Sequence, residues 1–162
     1  MNALKRCLDY LDRNATPYSH STHAPAYTGL EVADADRLPA RNLAKAVVYR
    51  GDNGYGILLL RADYLVDFAE VQRLLGLKKI RLATETELAN LFPDSELGAM
   101  PPFGNPFELP MLIDEGLAAA EFIAFNAGTH RDVIHMSFED FVALVNPLIG
   151  RFAVAQSTLL AV

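Results

Sequence analysis

The sequence predicts an α+β fold in which helices fall irregularly among β-hairpins around a mixed sheet, and three observations predict it. One helix-starting device, an N-cap side chain with an acid three residues later, recurs at Thr28/Glu31, Asp67/Glu70, Thr84/Glu87 and Ser137/Asp140. Apolar, β-branched runs of strand length lie between these starts, separated by turn-forming residues. Their order lacks the regular alternation that a parallel βαβ wind requires.

Taken in order, residues 2–14 carry Leu4, Cys7, Leu8 and Leu11 at the spacing of one helical face, and the helix should stop before Thr16-Pro17, because proline disfavours helical geometry in the residue ahead of it. A short strand follows from Tyr18 to Thr22. The four caps predict helices over 29–37, 67–75, 85–91 and 138–146. Strands from Leu43 to Arg50 and from Tyr55 to Arg61 flank Gly51-Asp52-Asn53-Gly54, whose Asn-Gly pair favours the positive dihedrals of a tight antiparallel hairpin. Pro110 to Asp114, Glu121 to Phe125 and Asp132 to Met136 are expected to add further antiparallel pairing. Residues 99–110 form the one long Pro/Gly-rich stretch and read as a stiff, shaped surface loop. The apolar tail 148–162 carries no pattern that places it, and docking on the body and contact with a second subunit both stay open.

With 162 residues and 51% hydrophobic content, the chain should form one domain, 1–162, with a core of its own. No run approaches the roughly 20 apolar residues of a membrane span, and Met-Asn-Ala-Leu-Lys-Arg-Cys has no apolar signal stretch behind its charges, so a cytoplasmic protein away from membranes is expected. The single cysteine, Cys7, excludes an internal disulfide and reads as a buried thiol. A net charge of −6 and a pI near 5.1 argue against a DNA-coating protein, while a short nucleic-acid end remains compatible.

Lys45 is the residue that structure alone does not ask for. It interrupts Leu43-Ala44-Lys45-Ala46-Val47-Val48-Tyr49, and strand alternation puts it on one face with Leu43, Val47 and Tyr49. Either its stem lies on apolar surface with the amine in water, or the amine serves a cleft. No nucleophile elbow, phosphate-binding P-loop, Gly-x-Gly-x-x-Gly or Cys-x-x-Cys is present. His20 and His23 read as polar residues closing a strand, and His135 as a half-exposed strand residue. His130 differs, because it follows Asn126-Ala127-Gly128-Thr129, a turn whose glycine can leave backbone N–H groups aimed at a ligand.

In chain order, Ala24-Pro25-Ala26-Tyr27-Thr28 after His23, Leu43-Ala44-Lys45-Ala46-Val47-Val48, Gly98-Ala99-Met100-Pro101-Pro102, Asp114 and Asn126-Ala127-Gly128-Thr129-His130 resemble the YbaK/prolyl-tRNA-editing domain family over about residues 15–146. The resemblance implies a partly barrel-like, mainly antiparallel sheet with flanking helices. It also implies a free-standing aminoacyl-tRNA deacylase that cleaves the ester of a mischarged tRNA without metal or organic cofactor. The family's lysine maps onto Lys45, its Gly-x-x-x-Pro loop onto Gly98 to Pro102, and the histidine of alanine-editing members onto His130. Lys45, Gly98 and His130 are the implied catalytic set, with Thr28, Met100, Pro101, Pro102, Asn126 and Gly128 binding substrate.

The implied partner is the aminoacyl-tRNA acceptor end; an aminoacyl-tRNA synthetase as second partner and the oligomeric state are left open. Lysine suits phosphate binding better than general-base work, since its ordinary pKa is about 10.4. The ribose hydroxyl beside the ester can orient water, which makes hydrolysis substrate-assisted. Two rivals remain: a binding module for a tRNA end, nucleotide or synthetase without hydrolysis, and a metal-assisted hydrolase built on the histidines. Asp114 and Thr28 also have plain readings as turn former and helix cap.

Overall fold

A computed structural model describes residues 2–26, 29–35 and 38–155. Helix α1 (Ala3–Arg13) starts at Asn2, whose side chain accepts from the Lys5 N–H. It ends before proline can act, because Asn14 caps it and Ala15 turns the chain at φ 52°. Strand β1 (Ser19–Thr22) and helix α2 (Gly29–Ala35) follow; the expected helix end at residues 36–37 and the Thr28 cap lie outside the described residues.

The central hairpin forms as predicted from β2 (Ala44–Arg50) and β3 (Tyr55–Arg61), with Arg50 opposite Tyr55. Its turn differs from expectation. The loop spans four residues closed by the Gly51 N–H on the Gly54 carbonyl at 2.7 Å, so Asn53 needs no positive φ and only Gly54 takes one, 156°. Strand β4 (Tyr64–Val66), helix α3 (Phe68–Leu75), strand β5 (Arg81–Leu82) and helix α4 (Glu85–Leu91) come next. Asp67 caps α3, and Thr84 with Glu87 closes a full capping box on α4.

Strands β6 (Met111–Asp114), β7 (Phe122–Asn126) and β8 (Asp132–Ser137) occupy the predicted places, and Ser137 caps α5 (Phe138–Val145). β7 and β8 pair antiparallel as expected. β6 does not: it runs parallel to β3 and to β9 (Leu148–Gly150). All four of its residues are buried, as befits a strand covered on both faces. The unplaced tail supplies β9 and then β10 (Ala153–Ala155), which pairs with β4; residues 156–162 lie outside the described set.

The strands form a five-stranded sheet ordered β5-β2-β3-β6-β9, a three-stranded sheet β1-β8-β7 and a β4-β10 pair. The fold is thus the mixed α+β class expected, with the barrel-like closure reduced to one parallel bridge, Leu43 to Ala124, between the two larger sheets. Ala44, Val48, Ile57, Phe125 and Ile134 meet α1 and α5 in the main core. On the other face of the sheets lie two smaller clusters. Leu43, Ala124 and Val133 pack under Val32 and Ala33 of α2, and Tyr49, Leu58 and Leu60 pack under Val71 of α3. The stretch 99–110 is less a surface loop than expected, since Ala99 to Gly104 are buried, with Phe103 in the main core.

Candidate active site

The turn after β7 and the bend around Gly98 are stitched into one unit. The Gly128 N–H donates to the Ala99 carbonyl and the Glu96 N–H to the Gly128 carbonyl, each at 2.8 Å. His130 adds a backbone N–H bond to the Glu96 carboxylate at 2.9 Å and a ring Nε2 bond to the Leu97 carbonyl at 2.8 Å. A carbonyl only accepts, so Nε2 carries a proton there. Gly98 sits exposed between these braces at φ 84°, where a Cβ would lie 3.7 Å from the His130 ring. Its own N–H donates to no atom among the described residues. A rigid bend presenting an unengaged N–H is a ready oxyanion donor.

The turn is held from its far side as well. Thr129 Oγ1 donates to Asp132 at 2.6 Å and accepts from the Arg131 and Asp132 N–H groups at 3.1 and 3.0 Å. Asp132 also takes His20 Nε2 at 2.7 Å and the Thr22 hydroxyl at 3.1 Å. Burial pushes its carboxyl pKa up, but the bonds from Thr129, His20 and Thr22 outweigh that and leave it below the usual range.

Lys45 keeps the predicted face, with Leu43 behind it in the cluster under α2 and Val47 and Tyr49 ahead in the cluster under α3. Half-buried between them, its amine donates to the Tyr64 carbonyl. Burial pulls the lysine pKa down and the charge of Asp63 partly restores it. Asp63 is gripped in turn by Arg61 through two bonds of 3.0 and 2.7 Å, and the guanidinium lies 4.4 Å from the centre of the Tyr64 ring. Sequence reading missed this cluster. The Tyr64 contact is a backbone carbonyl, which no residue type announces, and Glu96, which braces His130, carried no signal either.

Among the described residues, no hydrogen bond or ion pair joins Lys45 to the Gly98–His130 unit. Strand register relates them instead. β2 and β7 run parallel from the Leu43–Ala124 bridge, and Lys45 and Asn126 both stand two residues past it on its face. The segment carrying His23 and Ala26 closes the other side, through the His23 N–H to the Arg131 carbonyl at 2.9 Å and the Ala26 N–H to the His130 carbonyl at 3.0 Å.

Met100, Pro101 and Pro102 are buried, and Met100 packs in the main core. A cavity of about 380 Å³ lies away from Lys45, between α1 and the back of this loop, where Pro101 and Phe103 form part of its wall. These residues thus support the bend from behind. Thr28 lies outside the described residues. Asp114 is a structural clamp: Oδ1 accepts from the Phe152 and Ala153 N–H groups at 2.8 Å and Oδ2 from the Gly116 N–H at 2.9 Å. No group of three or more His, Cys, Asp or Glu side chains gathers at metal-binding spacing among the described residues. Nor is any helix there long and apolar enough to cross a membrane.

A family model described as an aminoacyl-tRNA editing domain matches residues 23–144. The chain belongs to this family. It is 29% identical over 122 residues to a proline–tRNA ligase of Leuconostoc citreum (strain KM20), a match covering 74% of this chain and 21% of the ligase. A second proline–tRNA ligase, from Xylella fastidiosa (strain M12), is 33% identical over 69 residues, 43% of this chain and 11% of that enzyme. The editing-domain chain thus spans about a fifth or less of the curated relatives it matches. A crystal structure of a candidate trans-editing enzyme for prolyl tRNA synthetase superposes with TM-score 0.82 at 22% identity, covering 96% of this chain and 99% of that one. At that identity the likeness establishes the shared fold.

Proposed function

We propose that this editing-domain chain is an aminoacyl-tRNA deacylase that works in trans, as one unit, on tRNA mischarged with a small amino acid. The observation that carries the reading is the Gly98 bend, an open N–H held by bonds to Gly128 and His130 in a chain of this family. A synthetase pocket discriminates a missing methylene by only about 1–3 kcal/mol, so small wrong amino acids escape it and a second, hydrolytic site is required.

In the proposed reaction a water oxygen bonds to the ester carbonyl carbon while the Gly98 N–H takes the developing oxyanion, a contribution of about 2.7–4 kcal/mol per donor in comparable sites. The water's proton passes through the neighbouring ribose hydroxyl to the leaving ribose oxygen. The C–O bond then breaks and releases free amino acid and tRNA. Lys45 holds the negatively charged end of the substrate, and no protein nucleophile takes part.

The test is a deacylation panel of alanine, serine, threonine and cysteine esters on matching and non-matching tRNAs. Wild type should cleave at least one, and Lys45→Ala, folded by circular dichroism, should lose about 10- to 100-fold in rate, the worth of one charged hydrogen bond. Binding of the tRNA end with no ester cleaved above the enzyme-free rate would make the chain a recognition module. Activity lost to a chelator and restored by zinc would turn the reading toward a metal-assisted hydrolase.

A further inference from the structure

Two buried side-chain polar atoms lack a hydrogen-bond partner among the described residues, Asn126 Oδ1 and His23 Nε2, and both lie on one face of the β1-β8-β7 sheet. Register settles the face. Asn126 is opposite Val133, and the His23 N–H to Arg131 carbonyl bond carries the β1–β8 ladder one residue on, placing His23 opposite Arg131, two positions from Val133 along the same side. Lys45 shares this face through the Leu43–Ala124 bridge. Polar groups buried without partners cost stability, so a face that collects both of them is shaped for something other than folding.

Resting on the deacylase reading, we infer that Asn126 binds and positions the free ribose hydroxyl beside the scissile ester. Among the described residues its Oδ1 has no partner and no bond from its amide nitrogen is present, so a half-turn about Cβ–Cγ exchanges oxygen and nitrogen without breaking any bond there. A group that both gives and takes a hydrogen bond fits a hydroxyl, which does the same. A phosphate, which only accepts, would use the amide nitrogen alone and leave the oxygen without a donor. The substrate's ammonium would be brought onto the face that Lys45 already makes positive. The adenine base could match a carboxamide too, but Asn126 stands two residues before Gly128, which is bonded to the Gly98 bend, so it lies at the reacting ester with the base a ribose away.

The experiment compares Asn126→Leu with wild type on two substrates, a tRNA aminoacylated at the terminal 3′ oxygen and its 2′-deoxy counterpart. The expected result is a loss of roughly tenfold or more on the ordinary substrate, with the two enzymes within about twofold on the deoxy one, because the variant and the deoxy substrate lose the same contact. The thermal midpoint of Asn126→Leu should equal or exceed that of wild type, since no internal bond is lost. Equal proportional losses on both substrates would overturn the assignment, as would a loss that instead disappears when the terminal adenosine carries 7-deazaadenine. A wild-type enzyme that cleaves neither ester would refute the deacylase reading itself, a separate outcome.

Discussion

His130 illustrates how a residue flagged for chemistry can act first through geometry. Its ring donates to the Leu97 carbonyl and its backbone to Glu96, so it braces the bend that carries Gly98. Losing the ring's bond to Leu97, a neutral hydrogen bond, costs about 0.5–1.5 kcal/mol, or roughly a 2- to 12-fold change in rate if the bend is what the substrate meets. His130→Ala should therefore slow deacylation within that range and alter the preference among alanine, serine, threonine and cysteine esters. His130→Gln, which keeps a donor for Leu97, should recover much of it. An unchanged profile in the alanine variant would leave His130 as a turn residue and no more. Lys45 was legible because a cation in an apolar strand is a misfit any reader can see. Its companions Asp63 and Tyr64 were not, because they meet it through strand pairing and a backbone carbonyl. Asn126 is intermediate: its place in a turn motif was visible, but that its Oδ1 finds no partner among the described residues is visible only in three dimensions.

Elements were readable wherever side chains talk to their own backbone. Asp67, Thr84 and Ser137 each accept from the N–H three residues on, as the sequence pattern demands, and α3, α4 and α5 start there. Strands β4, β5, β9 and β10, of two or three residues, are too short to show any period and were missed. The direction of β6 was misread although Met-Leu-Ile is an unbroken apolar run rather than an alternating one, which is the mark of a strand buried on both sides. Contact between elements was hidden as well, and Gly128 shows its effect. At φ 98°, a Cβ there would come 2.6 Å from the Ala3 Cβ and 3.1 Å from the Leu4 nitrogen, so glycine lets the start of α1 press against the turn after β7. Gly128→Ala adds left-handed strain to that overlap, and a loss of about 2–4 kcal/mol is expected. Urea unfolding measures it, and Ala3→Gly in the same background should return part of the loss. A variant within about 0.5 kcal/mol of wild type would show that α1 and the turn do not meet so closely.

The two larger sheets share one main core yet reserve their opposite faces for separate clusters, and Lys45 and Asn126 lie where those faces adjoin. Such an arrangement depends on carboxylates that hold distant segments together. Asp132 ties β1 to the turn after β7, and Asp63, raised by burial but lowered further by its bonds to Arg61 and by the Lys45 charge, holds the end of β3 beside the start of β4. Both carboxyl groups are held below their ordinary pKa of 3.8. Between the folded value and 3.8 the unfolded chain binds protons that the folded chain does not, so stability rises with pH across that window. Their contribution is complete above the unfolded pKa and disappears as pH falls through the folded one. Urea midpoints should consequently agree between pH 7 and pH 5 as far as these two groups are concerned, then drop on going to pH 3 and further toward pH 2. Asp132→Asn should begin from a lower midpoint at pH 7 and show a shallower acid limb, because one of the two titrating clamps is gone. Should the wild-type midpoint at pH 3 match that at pH 7, or the variant's acid limb run as steeply as the wild type's, the carboxylate that locks the turn beside Gly98 would not be the stabilising contact its three hydrogen-bond donors indicate.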